Sequence, residues 1–148
     1  MIERTQAVIE FEVDGTIITA NDNFLAATGY ASVEAIRGKH HRIFMPPEDA
    51  RTPEYAEFWR SLGRGEFSSG EFRRVTRAGD ELWLQASYNP IMDEKGVPYK
   101  VIKYASDITP QVKLRQTTEE VLHGVVENSE VLTDSSSGLA LVSTSDVI

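Results

Sequence analysis

The clearest hydrophobic pattern lies between residues 79 and 109, where apolar and polar positions alternate. A period of two places successive side chains on opposite faces of a strand. A turn sequence, Asp93 to Gly96, divides the segment, so it predicts two long strands joined there. Pro90 is expected to interrupt the first of them. The predicted inner face comprises Leu82, Leu84, Ala86 and Tyr88, and the outer face Trp83, Gln85, Ser87 and Asn89.

A second hairpin is predicted near the start of the chain. Residues 7–13 are rich in β-branched and aromatic side chains and predict a strand. Asp14-Gly15 is a strong signal for a tight turn, and residues 16–20 form the predicted return strand. Residues 66–76 predict a further strand that leads into the long hairpin.

The region between the hairpins predicts helices. Asn21 or Asp22 caps a short helix that Gly29 ends. A further helical turn is expected from Ser32 to Gly38, and residues 38–51 are expected to form a loop.

The longest central helix is predicted after Thr52, a good N-cap residue, with Pro53 at the first helical position. Its apolar positions repeat at the spacing of one helix face. They are Tyr55, Phe58, Trp59 and Leu62, and Gly63 or Gly65 is expected to end the helix.

The order of the elements indicates the fold class. Two strands, several short helices and three strands predict an α+β domain, with a five-stranded antiparallel sheet and short helices on one face. The Asp14-Gly15 hairpin is expected at the centre of that sheet. A C-terminal helix is expected to follow.

Residues 111–148 have a different character. Their apolar positions fit a thin three-four spacing, which a single helix cannot bury. We therefore expect a helix to about Glu130, a partly disordered remainder, and a homodimer formed through this helix or the N-terminal segment. The stripe comprises Leu114, Val121, Val125, Leu132, Leu139 and Val142.

Composition excludes several classes of protein. A net charge of −8 argues against nucleic-acid binding. The absence of cysteine excludes disulfides and thiolate sites. No apolar run approaches the roughly 20 residues that span a bilayer, and the N-terminus lacks a secretory leader, so we expect a cytoplasmic location without membrane contact. No nucleophile–base pair, metal-spaced carboxylates or phosphate loop appears, so no enzyme is expected.

At this level the chain resembles a PAS domain, in particular the PAS modules of bacterial methyl-accepting chemotaxis receptors of the aerotaxis type. The matching segments are QAVIEFEVDGTIITANDNFLAATGY, IRGKHHRIF, YAEFWRSLGRGEFSSGEFRRVTRAGDELWLQASYNPI and KYASDIT. The resemblance covers residues 6–110 and implies a PAS fold, a sensory role in chemotaxis, and signal transduction to neighbouring receptor modules. Residues 111–148 resemble a helical connector toward a signalling region.

The resemblance also suggests a cofactor. His40 or His41 is a candidate axial ligand of haem b, since neutral imidazole commonly binds iron. Met45 is a weaker candidate for a sixth ligand, and His123 lies too far along the chain. FAD is the alternative, because a histidine and a tryptophan flank it in the aerotaxis type. A ligand-free module for dimerisation and signal relay is the third interpretation. The candidate cofactor-binding residues are His40, His41, Phe44, Phe58, Trp59, Leu82, Leu84 and Tyr88.

The tryptophans and the basic residues of the strands are expected to have structural roles. Trp59 is expected to pack in the core, and Trp83 to lie on the outer sheet face, where it could cover an N-terminal helix or a dimer partner. Lys103 could reach a ligand carboxylate, but a surface position is favoured. A solvated strand face is expected for the basic cluster Arg73, Arg74 and Arg77.

Asp107 and Thr109 lie where the last strand is predicted to give way to the C-terminal helix. Asp107 can accept a backbone N–H, and Thr109 can cap the helix ahead of Pro110. The resemblance implies that this junction is the exit of the signal.

Overall fold

Five strands form one antiparallel sheet in a computed structural model that describes residues 6–135, with side-chain positions up to residue 124. The order across the sheet is β2-β1-β5-β4-β3. The predicted α+β class with a five-stranded antiparallel sheet is confirmed. The strands are β1 (Ala7–Phe11), β2 (Ile17–Ala20), β3 (Ser68–Val75), β4 (Glu81–Met92) and β5 (Pro98–Asp107).

The predicted central position of the first hairpin is wrong. β5 occupies the centre, and β2 lies at an edge. A hairpin turn fixes only the pairing of its own two strands. The other side of β1 pairs with β5, in the register Ile9 to Lys103, and this long-range pairing displaces the hairpin to one end of the sheet.

The turn of this hairpin is longer than predicted. β1 ends at Phe11, so Glu12 and Val13 belong to the turn. The Gly15 N–H donates to the Glu12 carbonyl at 3.0 Å, and the Glu12 N–H donates to the Thr16 carbonyl at 2.7 Å. Gly15 adopts a φ of +97°, a conformation in which glycine is favoured because it has no Cβ.

Two helices begin where their caps predict. The Asn21 side chain accepts the Phe24 N–H and opens α1 (Asp22–Thr28), which Gly29 ends at a φ of +83°. The Thr52 hydroxyl accepts the Tyr55 N–H and opens α3 (Pro53–Gly63). Pro53 lies in the first turn of α3, where its missing N–H costs no hydrogen bond.

The segment predicted as a loop contains helical turns instead. A 3₁₀ turn spans His41–Phe44, and α2 spans Pro47–Ala50. An earlier 3₁₀ turn, Val33–Ala35, lies within the region predicted as a helical turn. These elements are too short to show a helical hydrophobic period.

Pro90 does not interrupt β4. The strand continues through it and pairs with β5, with Pro90 opposite Val101. β3 pairs with β4 only as far as Tyr88. Beyond that residue one side of β4 is an edge, where the sheet tolerates a missing N–H.

The core lies between the sheet and the central helices. The predicted alternation along β4 is confirmed, because Leu82, Leu84, Ala86 and Tyr88 are all buried. Along β5 the same inner face carries Val101, Lys103 and Ala105. The buried core members from the central helices are Phe24, Leu25, Phe44, Tyr55, Trp59 and Leu62.

The chain divides into two compact units at the Thr109–Pro110 junction. α4 (Thr109–Ser135) contains the predicted connector helix. Leu114, Val121 and Leu122 are exposed on it, whereas the predicted stripe positions Leu139 and Val142 lie outside the described residues. None of the described helices is long and apolar enough to cross a membrane.

Candidate functional site

Backbone hydrogen bonds hold the adjacent histidines against the first hairpin. The His41 N–H donates to the Gly15 carbonyl at 2.9 Å, and the Ile17 N–H donates to the Lys39 carbonyl at 2.8 Å. An isolated bridge also joins Thr16 to His40. The hairpin turn therefore positions the segment that carries both imidazoles.

His40 uses both ring nitrogens on the backbone. Its Nε2 lies 2.7 Å from the Asp14 carbonyl oxygen, and its Nδ1 accepts the Arg42 N–H at 3.0 Å. A neutral ring protonated on Nε2 satisfies both bonds. Burial lowers the pKa of His40 below its ordinary value, although the Asp14 carbonyl opposes the shift. The ring caps the 3₁₀ turn and stays neutral.

His41 is fully buried and is bonded at both ring nitrogens by tyrosines from two elements. Its Nδ1 lies 2.7 Å from the hydroxyl of Tyr55 on α3. Its Nε2 lies 2.9 Å from the hydroxyl of Tyr88 on β4. Burial, together with the charges of Arg74 and Lys103, holds the pKa of His41 well below its ordinary value. The imidazole is therefore neutral at physiological pH.

Two cations face the Tyr88 hydroxyl and ring. Arg74 Nη2 donates to the hydroxyl at 3.0 Å. The Lys103 Nζ lies 4.8 Å from the ring centroid. Burial by itself raises the pKa of Tyr88, but the charges of Lys103 and Arg74 outweigh it and hold the pKa below its ordinary value. The cluster formed by His41, Tyr55, Arg74, Tyr88 and Lys103 is called the tyrosine–histidine cluster below.

Aromatic rings enclose this cluster. Phe58 packs edge to face on Tyr88 with centroids 4.8 Å apart, and Phe72 does so at 5.3 Å. The Trp59 ring lies 5.3 Å from His41, and its Nε1 donates to the Tyr55 hydroxyl at 3.2 Å. The site is thus a polar core wrapped in apolar rings, in which each hydrogen bond is strengthened by low local polarity.

The predicted site residues separate into three groups. The structure brings His41, Phe58, Trp59 and Tyr88 together, with Phe44 6.0 Å from the His41 ring. His40 contacts Trp59 but bonds to the hairpin backbone. Leu82 and Leu84 belong to the buried core cluster.

Two interpretations of basic residues are wrong. Lys103 is buried, with an exposed fraction of 0%, and Arg74 with 6%. Both lie on the inner sheet face, in positions that alternate with outward residues. Arg73 does lie on a solvated face, where it pairs with Glu81 at 2.9 Å. Strand alternation places Lys103 between the inward Val101 and Ala105, and here it outweighs the usual preference of a charged side chain for the surface.

Sequence reasoning also missed the role of Tyr55. It was placed on the apolar stripe of α3, but its hydroxyl joins His41 to Trp59. Burial raises the pKa of Tyr55 to about 12, so it remains a neutral phenol. A buried tyrosine usually finds a partner for its hydroxyl group, and this was the available signal.

A histidine-ligated haem does not fit this arrangement. Both nitrogens of His41 are bonded to tyrosine hydroxyls, and both nitrogens of His40 are engaged by the backbone. Neither imidazole has a lone pair directed at a metal position. FAD stays a prediction that no contact among the described residues tests.

The junction after β5 joins three segments of chain. The Asp107 carboxylate accepts the Thr109 N–H at 2.8 Å, as predicted. The Thr109 hydroxyl accepts the Trp83 N–H of β4 at 2.9 Å. The Ile108 N–H donates to the Trp83 carbonyl at 2.9 Å. The first residue of α4 is therefore bonded directly to β4.

We expect the free energy of unfolding to fall as the pH drops below about 6.5, with His41 contributing about 1.4 kcal/mol per pH unit. The unfolded chain binds a proton at His41 there, whereas the folded chain, whose His41 pKa is well depressed, does not. The free energy of unfolding is therefore at its full value above the pKa that His41 has in the unfolded chain. It falls as the pH drops from there toward the pKa that His41 has in the folded chain. Urea unfolding at a series of pH values measures the slope.

The matched variants for this measurement are His41→Gln and His123→Gln. Glutamine at 41 keeps a donor and an acceptor but does not titrate, so the slope should become shallower. His123→Gln is the control for the loss of an imidazole at an exposed position of the chain. Equal slopes for His41→Gln and the unaltered chain would contradict the assignment to His41.

Comparison with known proteins agrees with this architecture. A family model described as the PAS fold matches residues 17–105. The chain belongs to the PAS family. It is 45% identical over 122 residues to the biofilm dispersion protein BdlA of Pseudomonas aeruginosa, covering 82% of this chain and 29% of BdlA. It is 28% identical over 110 residues to the aerotaxis receptor of Escherichia coli K12, covering 74% of this chain and 20% of that receptor.

A solved structure shows the same fold. An RNA-binding light-oxygen-voltage receptor superposes with a TM-score of 0.66 at 23% identity, covering 80% of this chain and 34% of that one. The PAS chain spans less than a third of the length of these curated relatives.

Proposed function

We propose that this PAS chain is the sensory module of a larger signalling protein of the chemotaxis type. The tyrosine–histidine cluster is its receiving site, and the junction between β4 and Thr109 is its exit. Support comes from the 45% identity to BdlA and from the similarity to an aerotaxis receptor. The chain offers recognition and relay, and no enzymatic step is assigned to it.

The observation that carries the proposal is that one strand, β4, contributes to both the tyrosine–histidine cluster and the junction with α4. Tyr88 bonds to His41 and Arg74 in the interior, and five residues earlier the backbone of Trp83 bonds to Thr109, where α4 begins. A change in the interior that shifts β4 therefore alters the bonds that hold the start of α4. Coupling of this kind requires an element with two arrangements, and β4 is the candidate.

Small-molecule sensing is the main proposal, and a ligand-free relay is the second. The second is favoured by the density of ring contacts around His41, which touches rings from β1, α3 and β4. In that case a neighbouring module would supply the stimulus.

A homodimer through α4 also belongs to the proposal. The exposed Leu114, Val121 and Leu122 leave apolar surface that a partner helix would cover. A second copy of α4 supplies the matching stripe.

A chimera tests the sensory role. Residues 6–109 replace the matching segment of BdlA in Pseudomonas aeruginosa, and biofilm dispersion is measured. We expect biofilms of cells that carry the chimera to disperse. Thr109→Val in the chimera should abolish this dispersion, because valine cannot accept the Trp83 N–H. Thr109→Ser keeps the hydroxyl and should restore it. A Thr109→Val chimera that responds fully while accumulating normally would sink the exit proposal.

A further inference from the structure

The buried charge of this domain has one sign. Among residues 6–124 the buried charged side chains are Arg74 and Lys103, and no aspartate or glutamate is buried with them. None of the salt bridges in this part of the chain includes either residue. An unpaired ion in a protein interior costs several kcal/mol even after relaxation. A negatively charged partner would offset this cost.

The hydrogen bonds of the cluster show the same imbalance. Four bonds link Trp59, Tyr55, His41, Tyr88 and Arg74 into a chain. The indole, the two phenols, the neutral imidazole and the bonded N–H of Arg74 Nη2 contribute one hydrogen more than these four bonds use, and this surplus hydrogen is on a tyrosine hydroxyl whichever nitrogen of His41 carries its proton. The cluster therefore lacks an acceptor.

Further donors are free beside it. Lys103 Nζ and Arg74 Nε are buried and have no hydrogen-bond partner. The Lys103 ammonium faces the Tyr88 hydroxyl and two ring faces, those of Tyr88 at 4.8 Å and Phe24 at 5.8 Å. The Arg74 guanidinium carbon lies 4.9 Å from the Phe72 ring centroid. Ring faces attract cations but replace neither a carboxylate nor its hydrogen bonds.

The unpartnered groups converge on one part of the sheet. Tyr88 lies directly opposite Lys103 in the β4–β5 ladder, and Arg74 extends from the neighbouring β3 to the Tyr88 hydroxyl. Phe58 and Phe72 are only half-buried and cover Tyr88 from α3 and β3.

We propose that the tyrosine–histidine cluster is the inner end of a binding site for a small organic acid, whose carboxylate is held by Arg74 and Lys103. The carboxylate accepts from Lys103 Nζ, from Arg74 Nε and from the surplus hydroxyl hydrogen, and its charge compensates the two cations. Its apolar body packs against Phe58 and Phe72. This assignment names the ligand class of the sensory function proposed above and rests on that function for its biological role.

The surface near the cluster favours anions. A cleft of about 700 Å³ includes Arg42 and Val75, the chain neighbours of His41 and Arg74. Its lining also contains Arg51 and Arg77, and none of its lining residues is acidic. On a chain with a net charge of −8, such a patch raises the local concentration of an acid.

The test compares an acid with its amide. The purified chain is titrated with sodium benzoate or with benzamide, at constant ionic strength adjusted with sodium chloride, and its melting temperature is recorded. A ligand that binds only the folded state raises the melting temperature in a saturable manner. We expect this rise with benzoate and none with benzamide, because the two probes share the ring but only benzoate carries the charge.

Variants locate the binding. Lys103→Met and Arg74→Met should each weaken the apparent affinity for benzoate at least tenfold, while the unliganded melting temperature stays the same or rises because an unpaired charge is removed. Lys100→Met is the matched control, since it removes an ammonium group from the same strand, at a half-buried pair with Glu10 outside the tyrosine–histidine cluster. It should bind benzoate like the unaltered chain. Lys103→Gln and Arg74→Gln replace any methionine variant that fails to fold.

Three results would overturn the site. The first is equal stabilisation by benzoate and benzamide, or no stabilisation by either of two carboxylates, benzoate and butyrate, tested separately. The second is unchanged affinity in the Lys103 and Arg74 variants. The third is an ionised-tyrosine absorbance at neutral pH that Tyr88→Phe removes, because the domain would then supply its own anion. The melting-temperature titration measures binding by the purified chain and does not depend on signalling. Benzoate binding combined with a BdlA chimera that gives no dispersion would therefore reject only the sensory role.

Discussion

Replacing Tyr88 by phenylalanine is expected to lower the free energy of unfolding by about 2–4 kcal/mol. The substitution keeps the ring contacts with Phe58 and Phe72 and removes only the hydroxyl. Arg74 Nη2 then loses its acceptor, and His41 Nε2 loses its partner, inside a fully buried site. A buried polar group left unpaired costs more than the hydrogen bond itself contributes, and the cost is greater when the group is charged.

Tyr104→Phe is the matched control for this change. Tyr104 lies on the outer face of β5 with 36% of its surface exposed, so water replaces any bond its hydroxyl loses. Its substitution should change stability by less than about 0.5 kcal/mol. Chemical unfolding of both variants gives the two values. Similar losses for both would show that the Tyr88 hydroxyl has no special role.

Replacing Gly15 by alanine is expected to cost about 3 kcal/mol, because two effects add. The φ of +97° is strained for any residue with a Cβ. A Cβ built there lies 2.6 Å from His40 Nε2 and 2.9 Å from Trp59 Cε2. Relief would displace the imidazole from the Asp14 carbonyl or the indole from the core, and overpacking of this kind typically costs about 1–3 kcal/mol.

Gly79→Ala separates the two effects. Gly79 has a φ of +90°, but a Cβ there meets nothing within 4 Å. Its substitution should cost about 1–2 kcal/mol, the price of the backbone conformation alone. The difference between the two variants in urea unfolding measures the contact with His40 and Trp59. Equal losses would mean that the hairpin turn does not position the histidine segment.

The Tyr88 and Gly15 predictions both concern the packing around the two adjacent histidines. Tyr88 reaches His41 from the sheet, and Gly15 allows the hairpin turn to approach His40 and Trp59 from the other end. The receiving site that we propose is therefore built from the first hairpin, α3 and the central strands. This arrangement explains how a change in the interior could be transmitted to several parts of the domain.

Much of the local structure was determined by the sequence. The alternation along β4 predicted its inner face, because a strand turns every second side chain to the same side. Asn21 and Thr52 predicted the starts of α1 and α3, because a side-chain oxygen there satisfies a free helical N–H. The order of elements predicted the α+β class. Each of these depends on residues close together in the chain.

Only the tertiary structure decided the rest. The pairing of β1 with β5 placed the first hairpin at the end of the sheet, and such pairing joins residues some 90 positions apart, like Glu10 and Lys100 at 3.0 Å. The partners of His41 lie 14 and 47 residues away on different elements. Arg74 and Lys103 read as surface residues because a cation normally avoids the interior. Their burial beside Tyr88 became visible only when three neighbouring strands brought them together without a carboxylate, and this missing charge is what points to a ligand.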